Sequence, residues 1–298
     1  MTVLKPLIYF SLFDHPLTED EVFKYSEVQD KNQLREDIDA LIRKGIIKRD
    51  GNFLLFEKDH QHILRRVMGN KEAEAIMPRA EKTARFISKF PFIKGVAISG
   101  SLSKGYFDSE SDFDFFVITK AKRVWITRTL IALYKRLFLL NSHKEFCVNY
   151  YVSTETLEIE EKNRFTATEI VTVIPVYGTD IFSEFYNQNK WVTAFFPNVD
   201  LKNGLQGTAP KKQYFGTKCV EFLLDNYLGQ LINYTCMKVI TRKWSKRYKS
   251  KVNSPYKSKK EISKHHPENF QEKVINKLNT KYKSCKELYD IYIPVEHV

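Results

Sequence analysis

Cysteine is scarce in this sequence, and no long apolar run is present. The four cysteines are scattered and none forms a C-x-x-C pair: Cys147, Cys219, Cys236 and Cys285. Neither a zinc site nor a disulfide framework is indicated. No apolar stretch approaches the ~20 residues of a membrane span, and the opening MTVLKPLIYFSLFDHPLT has no small-residue cleavage site of a signal peptide. We therefore expect a cytoplasmic protein with no membrane partner.

Acidic residues are outnumbered, with 36 Asp and Glu against 48 Lys and Arg, and the formal net charge is +12. Much of the excess lies in TRKWSKRYKSKVNSPYKSKKEISKHH, where Trp244, Tyr248 and Tyr256 alternate with basic residues. Such a segment can bind nucleic-acid phosphates and stack on bases, but a solvated helix face followed by a linker has the same composition. We favour the second interpretation and expect only weak, nonspecific binding of nucleic acid.

Helix and turn signals divide the chain into parts. Residues 1–58 show three helical patterns and then two short strands around Asp50-Gly51, which is typical of a winged-helix-like domain. Its third helix is nearly neutral, so we interpret it as a packing or partner module rather than a DNA reader. Residues 59–92 predict a linking helix interrupted near Gly69 and Pro78.

The remaining residues predict two more parts. Residues 93–200 carry strand patterns between helices, and residues 201–298 form a basic helical C-terminal region. In the last region one long helix is predicted from CVEFLLDNYLGQLINYTCMKVITRKWSKRY and another from NFQEKVINKLNTKYKSCKELYDIYI. With 298 residues the chain is long enough for two or three domains.

The stretch GSLSKGYFDSESDFDF, residues 100–115, joins two apolar runs that predict strands. Side chains alternate faces on a strand, so Asp112 and Asp114 point to one face and Phe113 and Phe115 to the other. Adjacent carboxylates repel each other unless a divalent cation lies between them. Oxygen ligands of this kind suit Mg²⁺, or Mn²⁺, which is commonly held by one or two carboxylates together with phosphate oxygens.

The start of the same stretch has features of a phosphate site. Gly100 permits close approach of the backbone to a ligand, and Ser101 is predicted to cap a short helix whose free N–H groups would bind an anion. Lys104 follows closely enough to reach the β- and γ-phosphates of a nucleotide.

The combination of an apolar strand, Gly100-Ser101, a spacer and Asp112-Phe113-Asp114-Phe115 resembles the DNA polymerase β-like nucleotidyltransferase superfamily. Ser99 departs mildly, because an apolar residue is commoner there. The segments CVNYYVS, FTATEIVTVIPVYG and NKWVTAFFPN are similar to the bacterial branch that carries an N-terminal winged helix.

The resemblance implies an α+β fold with an N-terminal winged helix, a central mixed sheet flanked by helices, and C-terminal helices. It also implies Mg²⁺-dependent transfer of a nucleoside monophosphate from a nucleoside triphosphate, such as ATP, to a hydroxyl. The acceptor remains open between a small molecule, a protein side chain and an RNA end. The alternatives are a nucleic-acid-binding regulator and a protein-interaction component, each with a degenerate transferase domain.

Most members of the superfamily have a third carboxylate on the neighbouring strand, which the resemblance places in KEFCVNYYVS. Alternation puts Glu145, Cys147, Asn149 and Tyr151 on one face. Glu145 is the only acid of the four, so we predict it as the third catalytic carboxylate. Asn149, which cannot act as a base, and Glu169 in the next helix remain alternatives, although Glu169 is also explained as a helix-surface acid near a first turn.

Overall fold

The structure is a computed structural model, and it describes residues 2–56, 60–139, 144–205, 215–247, 260–264 and 270–297. Within these ranges ten α-helices surround a three-stranded and a five-stranded sheet, so the predicted α+β class is confirmed. None of the helices described is both long and apolar enough to cross a membrane.

The N-terminal unit contains three helices and a small antiparallel sheet of order β1-β3-β2. Its elements are α1 (Leu4–Ser11), β1 (Leu17–Thr18), α2 (Glu19–Tyr25), α3 (Lys31–Arg43), β2 (Lys48–Asp50) and β3 (Phe53–Leu55). A capping box starts α2, in which the Glu21 N–H donates to Thr18 Oγ1 at 3.3 Å and the Thr18 N–H donates to Glu21 Oε2 at 2.8 Å. The three predicted helices and the hairpin are confirmed; the winged-helix assignment stays a prediction.

The helix that follows, α4 (Gln61–Ile87), is continuous, so the predicted interruption near Gly69 and Pro78 is wrong. Pro78 lies on the exposed side, where water can satisfy the carbonyl that proline leaves unpaired. Gly69 has a packing role, because a Cβ at this position would overlap the ring of Tyr106.

The central sheet is mixed, as predicted, and has the order β7-β4-β5-β6-β8. The strands are β4 (Ile93–Ser99), β5 (Asp114–Thr119), β6 (Cys147–Ser153), β7 (Ile174–Tyr177) and β8 (Ile262–Lys264). Strands β5 and β6 are parallel and the other neighbours are antiparallel.

Two strands of this sheet correct the sequence-based interpretation. A helix was predicted to run to Pro175, but α6 (Arg164–Thr172) ends earlier and β7 follows. Since β7 is an edge strand, it tolerates the missing N–H of Pro175. Strand β8 lies in the lysine-rich segment that was predicted as a linker, and it pairs with β6 through Tyr151 and Ser263.

The two faces of the sheet belong to separate apolar clusters. Phe116 and Ile118 share one cluster with residues of α1, α6, α7 (Thr179–Gln188) and α10 (Phe270–Tyr289). Phe115 and Val117 share the other with residues of α4, α5 (Val124–Phe138) and α9 (Tyr227–Arg247). The N-terminal unit therefore packs into the same core as one face of the central sheet.

The C-terminal helices depart from prediction in one place. The long helix predicted from CVEFLLDNYLGQLINYTCMKVITRKWSKRY is two helices, α8 (Phe215–Leu224) and α9, with a break at Asp225 and Asn226. The Asn226 side chain accepts a hydrogen bond from the Gly229 N–H at 3.1 Å, which is the kind of local bond that competes with a continuous helix. The last predicted helix is confirmed as α10.

Helix α5 was predicted to be apolar and buried on most sides, and this holds only for its first half. Leu137 and Phe138 near its end are 62% and 69% exposed. The buried N-terminus has no cap from its own flanking residue, Arg123. Instead Oδ1 of Asn233 on α9 accepts from the N–H groups of Trp125 and Ile126 at 2.9 and 3.0 Å. A distant helix thus satisfies two buried donors.

We predict that Asn233→Ala lowers the free energy of unfolding by about 2–4 kcal/mol, because both N–H groups would stay buried without an acceptor. Asn233→Asp keeps an acceptor oxygen and should retain much of the stability. Urea unfolding of the three proteins measures the difference, with the exposed Asn276→Ala on α10 as the control. An Asn233→Ala protein as stable as the control would contradict this role.

Candidate active site

Gly100 is fixed at the end of β4 by two constraints. Its φ is +70°, a value that side-chain-bearing residues rarely adopt. A Cβ here would also overlap the carboxylate of Asp114, which is opposite Ser99 in the β4–β5 ladder. The close approach of backbone to carboxylate therefore requires glycine at position 100.

The turn after Gly100 is shorter than predicted. Leu102–Lys104 forms one 3₁₀ turn, and the side chain of Ser101 does not cap it. Ser103 Oγ instead donates to the Gly100 carbonyl at 2.9 Å. The predicted capping role of Ser101 is wrong because no α-helix starts there; phosphate binding at this turn would depend on individual N–H groups and not on a helix dipole.

The paired aspartates lie on one wall of a cavity. Asp112 and Asp114 both line it, whereas Phe113 and Phe115 are buried in the opposite cluster. The predicted alternation is therefore confirmed. Asp114 is held in place by Asn149, whose Nδ2 donates to Asp114 Oδ1.

The carboxylate of Asp114 lies in an unfavourable electrostatic setting. Burial, followed by the neighbouring charges of Glu169 and Asp112, raises its pKa to about 7, and only Lys104 acts in the opposite direction. A cation bound between the aspartates would relieve this cost. The oxygen-only donors Asp112 and Asp114 therefore fit Mg²⁺ or Mn²⁺.

A metal held by protein side chains alone is not indicated. In the described part of the chain, no three His, Cys, Asp or Glu side chains are grouped closely enough to hold an ion.

A bulge in β6 changes the predicted face pattern. Asp114 pairs with Cys147, Phe115 with Val148, and Phe116 with Tyr150, so Asn149 is passed over by the pairing. Asn149 and Tyr150 both line the cavity, but Tyr151 is buried in the opposite cluster. The prediction that Tyr151 shares a face with Asn149 is wrong, because an extra residue in one strand shifts the alternation that follows.

The structure brings Glu169 to the aspartates and places Glu145 elsewhere. Glu145 precedes β6, is partly exposed, and pairs with Arg79 of α4 at 2.5 Å. Glu169 on α6 lines the cavity and is near enough to raise the pKa of Asp114. Its carboxylate pairs with Lys104 Nζ at 2.9 Å. The sequence offered no means of ranking Glu169 first, because its position depends on how α6 packs.

Lys104 lies beside the glycine turn, as its predicted role requires. Its Nζ donates to the Gly100 carbonyl at 3.0 Å and contacts Glu169, and only 18% of its side chain is exposed. Nearby, burial and the charges of Arg66, Lys104 and Arg65 lower the pKa of His15 to about 3, although Glu21 partly opposes them. His15 is therefore neutral at physiological pH, and Lys104 is the cation next to the turn.

The cavity has a volume of about 530 Å³ and includes side chains that the sequence did not suggest. Tyr9 and Phe10 come from α1, Phe165 from α6 and Phe270 from α10. No local motif marks these residues, since they meet only through tertiary packing.

Only part of the basic segment belongs to the described residues. Lys243 and Lys246 are exposed on α9, whereas Tyr248, Lys249, Lys251, Tyr256, Lys257, Lys259, His265 and His266 lie outside them. Trp244 packs on Trp125, with ring centroids 6.0 Å apart, and on the guanidinium of Arg128. This ring is therefore engaged in the core instead of being presented for base stacking.

Comparison with known families gives one match. Residues 80–174 match the family model described as the nucleotidyltransferase domain. The matched range includes the glycine turn, both aspartates, β4 to β6 and α6, and it is consistent with the superfamily that the motif suggested. The bacterial branch with an N-terminal winged helix stays a prediction. Among curated proteins and among solved structures, nothing matches this chain.

We predict that Asp114→Asn stabilises the metal-free protein more at pH 8 than at pH 5.5. The pKa of Asp114 is raised from 3.8 to about 7, so its neutral form favours folding and the benefit is lost as pH rises through about 7. Asparagine stays neutral throughout and can still accept from Asn149. The advantage of the variant should grow by roughly 2 kcal/mol between these pH values.

Urea unfolding in the presence of chelator measures this difference. The exposed Asp39→Asn serves as the control and should show no such trend. An advantage of Asp114→Asn that is equal at both pH values would show that the charged form of Asp114 is not penalised in the folded protein.

Proposed function

We propose, from the premise that residues 80–174 are a nucleotidyltransferase domain, that this protein is an Mg²⁺-dependent nucleotidyltransferase. It transfers a nucleoside monophosphate from a nucleoside triphosphate to a hydroxyl. The observation that carries the proposal is the position of Asp114. Its carboxylate lies against Gly100, lines the same cavity as Asp112, and has a pKa that burial and neighbouring negative charges raise.

Asp112 and Asp114 would hold the cation, and Asn149 would fix the orientation of Asp114 through its hydrogen bond. When bound there, Mg²⁺ or Mn²⁺ would supply positive charge that neutralises the triphosphate. Asn149 remains neutral, so it orients without adding a further negative charge to the site.

The phosphate chain would lie along the turn at Gly100 and Ser101. Lys104 is next to the turn and supplies a positive charge for the outer phosphates. Its pairing with Glu169 also keeps the ammonium within the cavity when no nucleotide is present.

Glu169 is the candidate general base. It lines the same cavity as the aspartates, while Asp112 and Asp114 would be committed to the cation. Its carboxylate would accept the proton of the acceptor hydroxyl as the oxygen attacks the α-phosphorus and pyrophosphate leaves.

We predict that nucleoside triphosphates bind tightly only with a divalent cation. Calorimetric titrations with ATP, GTP, CTP and UTP, each with Mg²⁺ and with chelator, measure the difference. Asp112→Asn should lose the metal-dependent part of binding and remain folded, because it relieves a carboxylate pair, whereas Asp39→Asn should keep it. Equal affinity with metal and with chelator would reject the proposal.

A second prediction separates the two candidate bases. With water as acceptor, release of pyrophosphate from the bound triphosphate should fall on the order of 10²- to 10⁴-fold in Glu169→Gln. Nucleotide affinity should be largely kept, since the base acts on the acceptor. Glu145→Gln is the matched control and should behave as wild type, because Glu145 pairs with Arg79. The reverse pattern would restore Glu145 as the third carboxylate.

A further inference from the structure

The cavity continues beyond the carboxylates into an apolar chamber. Its walls are formed by Phe10, Phe116, Ile170, Val173 and Phe185. These side chains come from α1, β5, α6 and α7, together with the residue that follows α6. The cavity lining therefore combines these apolar side chains with the carboxylates and hydroxyls around Gly100.

Three rings form an aromatic rim at one side of the chamber: Phe13, Phe165 and Phe270. The ring centroid of Phe270 is 6.4 Å from that of Phe13 and 5.9 Å from that of Phe165. Phe270 is 45% exposed and the other two rings are partly exposed. The rim therefore lies between solvent and the buried walls, where an incoming apolar group would make its first contacts.

The chamber offers few hydrogen-bonding groups to a ligand. Thr166 lines it, and its buried hydroxyl has no hydrogen-bond partner among the residues that the structure describes. Burial, followed by the charge of the nearby Glu169, raises the pKa of the Tyr9 hydroxyl well above its ordinary value. Groups with many donors and acceptors would lose hydrogen bonds to water here without replacing them.

Charge also limits what can enter. Among the described residues that line the cavity, the carboxylates are Glu110, Asp112, Asp114 and Glu169, against the ammonium of Lys104 and the neutral ring of His15. A nucleoside triphosphate brings its own cations into this setting, but the further phosphates of an RNA chain would be repelled.

Resting on the proposed function, we propose that the nucleotidyl acceptor is a small molecule with an apolar, ring-containing body and a hydroxyl. The body occupies the chamber inside the aromatic rim, and the hydroxyl reaches Asp112 and Asp114. The whole cavity, including its carboxylates and the glycine turn, has a volume of about 530 Å³, which lies within the range of small-molecule sites. Polyhydroxylated sugars and RNA ends are disfavoured by the walls and by the charges.

The transfer balances without a further reactant. The acceptor oxygen forms a bond to the α-phosphorus as the bond from that phosphorus to the bridging oxygen of the β-phosphate breaks. Pyrophosphate leaves with that electron pair, and the hydroxyl proton passes to Glu169. No oxidation or reduction takes place.

A fluorescent probe tests the chamber in the full chain. We use 4-methylumbelliferone, a flat hydroxylated ring compound, and expect saturable binding that persists in the presence of Mg²⁺ and a non-hydrolysable triphosphate. Phe165→Ala and Phe270→Ala should each weaken probe binding by about tenfold and leave triphosphate affinity unchanged. Phe222→Ala is the matched control, since this ring is 84% exposed on α8. Because Phe270 is itself partly exposed, its variant should fold.

Each other outcome overturns the inference. If the rim variants weaken triphosphate binding and the triphosphate displaces the probe, the chamber holds the nucleobase. If a short RNA with a free 3′ hydroxyl displaces the probe, the acceptor is a nucleic-acid end. Absence of saturable probe binding also rejects the inference. Failure of the proposed function is a separate result, because it would appear as metal-independent triphosphate binding with probe binding intact.

Discussion

The carboxylate of Asp114 occupies the space that a side chain at position 100 would need, and this contact fixes the glycine turn against strand β5. Four further side chains are arranged around the same carboxylate. Asn149 donates to it, Glu169 and Asp112 raise the free energy of its charged form, and Lys104 lowers it. The ionised form of Asp114 is therefore held at an electrostatic cost, which a cation placed between the aspartates would reduce.

The two faces of the central sheet have different roles. One face carries the aspartates and packs with the N-terminal unit, and the other packs against α4, α5 and α9. On the supporting side, Asn233 completes the start of α5, and Asp225 pairs with Lys120 just after β5 at 2.5 Å. The C-terminal helices therefore help to hold the strand that bears Asp114, although they contribute no carboxylate to the cavity.

Features set by neighbouring residues were predictable from the sequence. The opposite faces of Asp114 and Phe115, the glycine turn and the Thr18 cap all depend on local geometry. Features set by packing were not. Glu145 and Glu169 are both plausible acids near the motif, and only the position of α6 distinguishes them. Strand β8 was also not predictable, because its lysine-rich sequence resembles a linker and only its pairing with β6 identifies it as a strand.

The bulge at Asn149 was likewise not predictable from the sequence. Alternation predicts faces correctly only while the pairing is regular, and one extra residue exchanged the faces of Tyr150 and Tyr151. The prediction that α4 is interrupted near Pro78 was wrong for a different reason. Proline usually breaks or kinks a helix interior, but Pro78 lies on the exposed side of α4, where water can bind the carbonyl that proline leaves unpaired.

The contact between α1 and α10 has a consequence for how the protein is made. Lys281 donates to Ser11 across a sequence separation of 270 residues, and Phe270 meets Phe13 at the aromatic rim. During synthesis the aspartates leave the ribosome long before α10 does. The aromatic rim of the cavity is therefore incomplete on the nascent chain, and it forms only when this late segment packs against the early one.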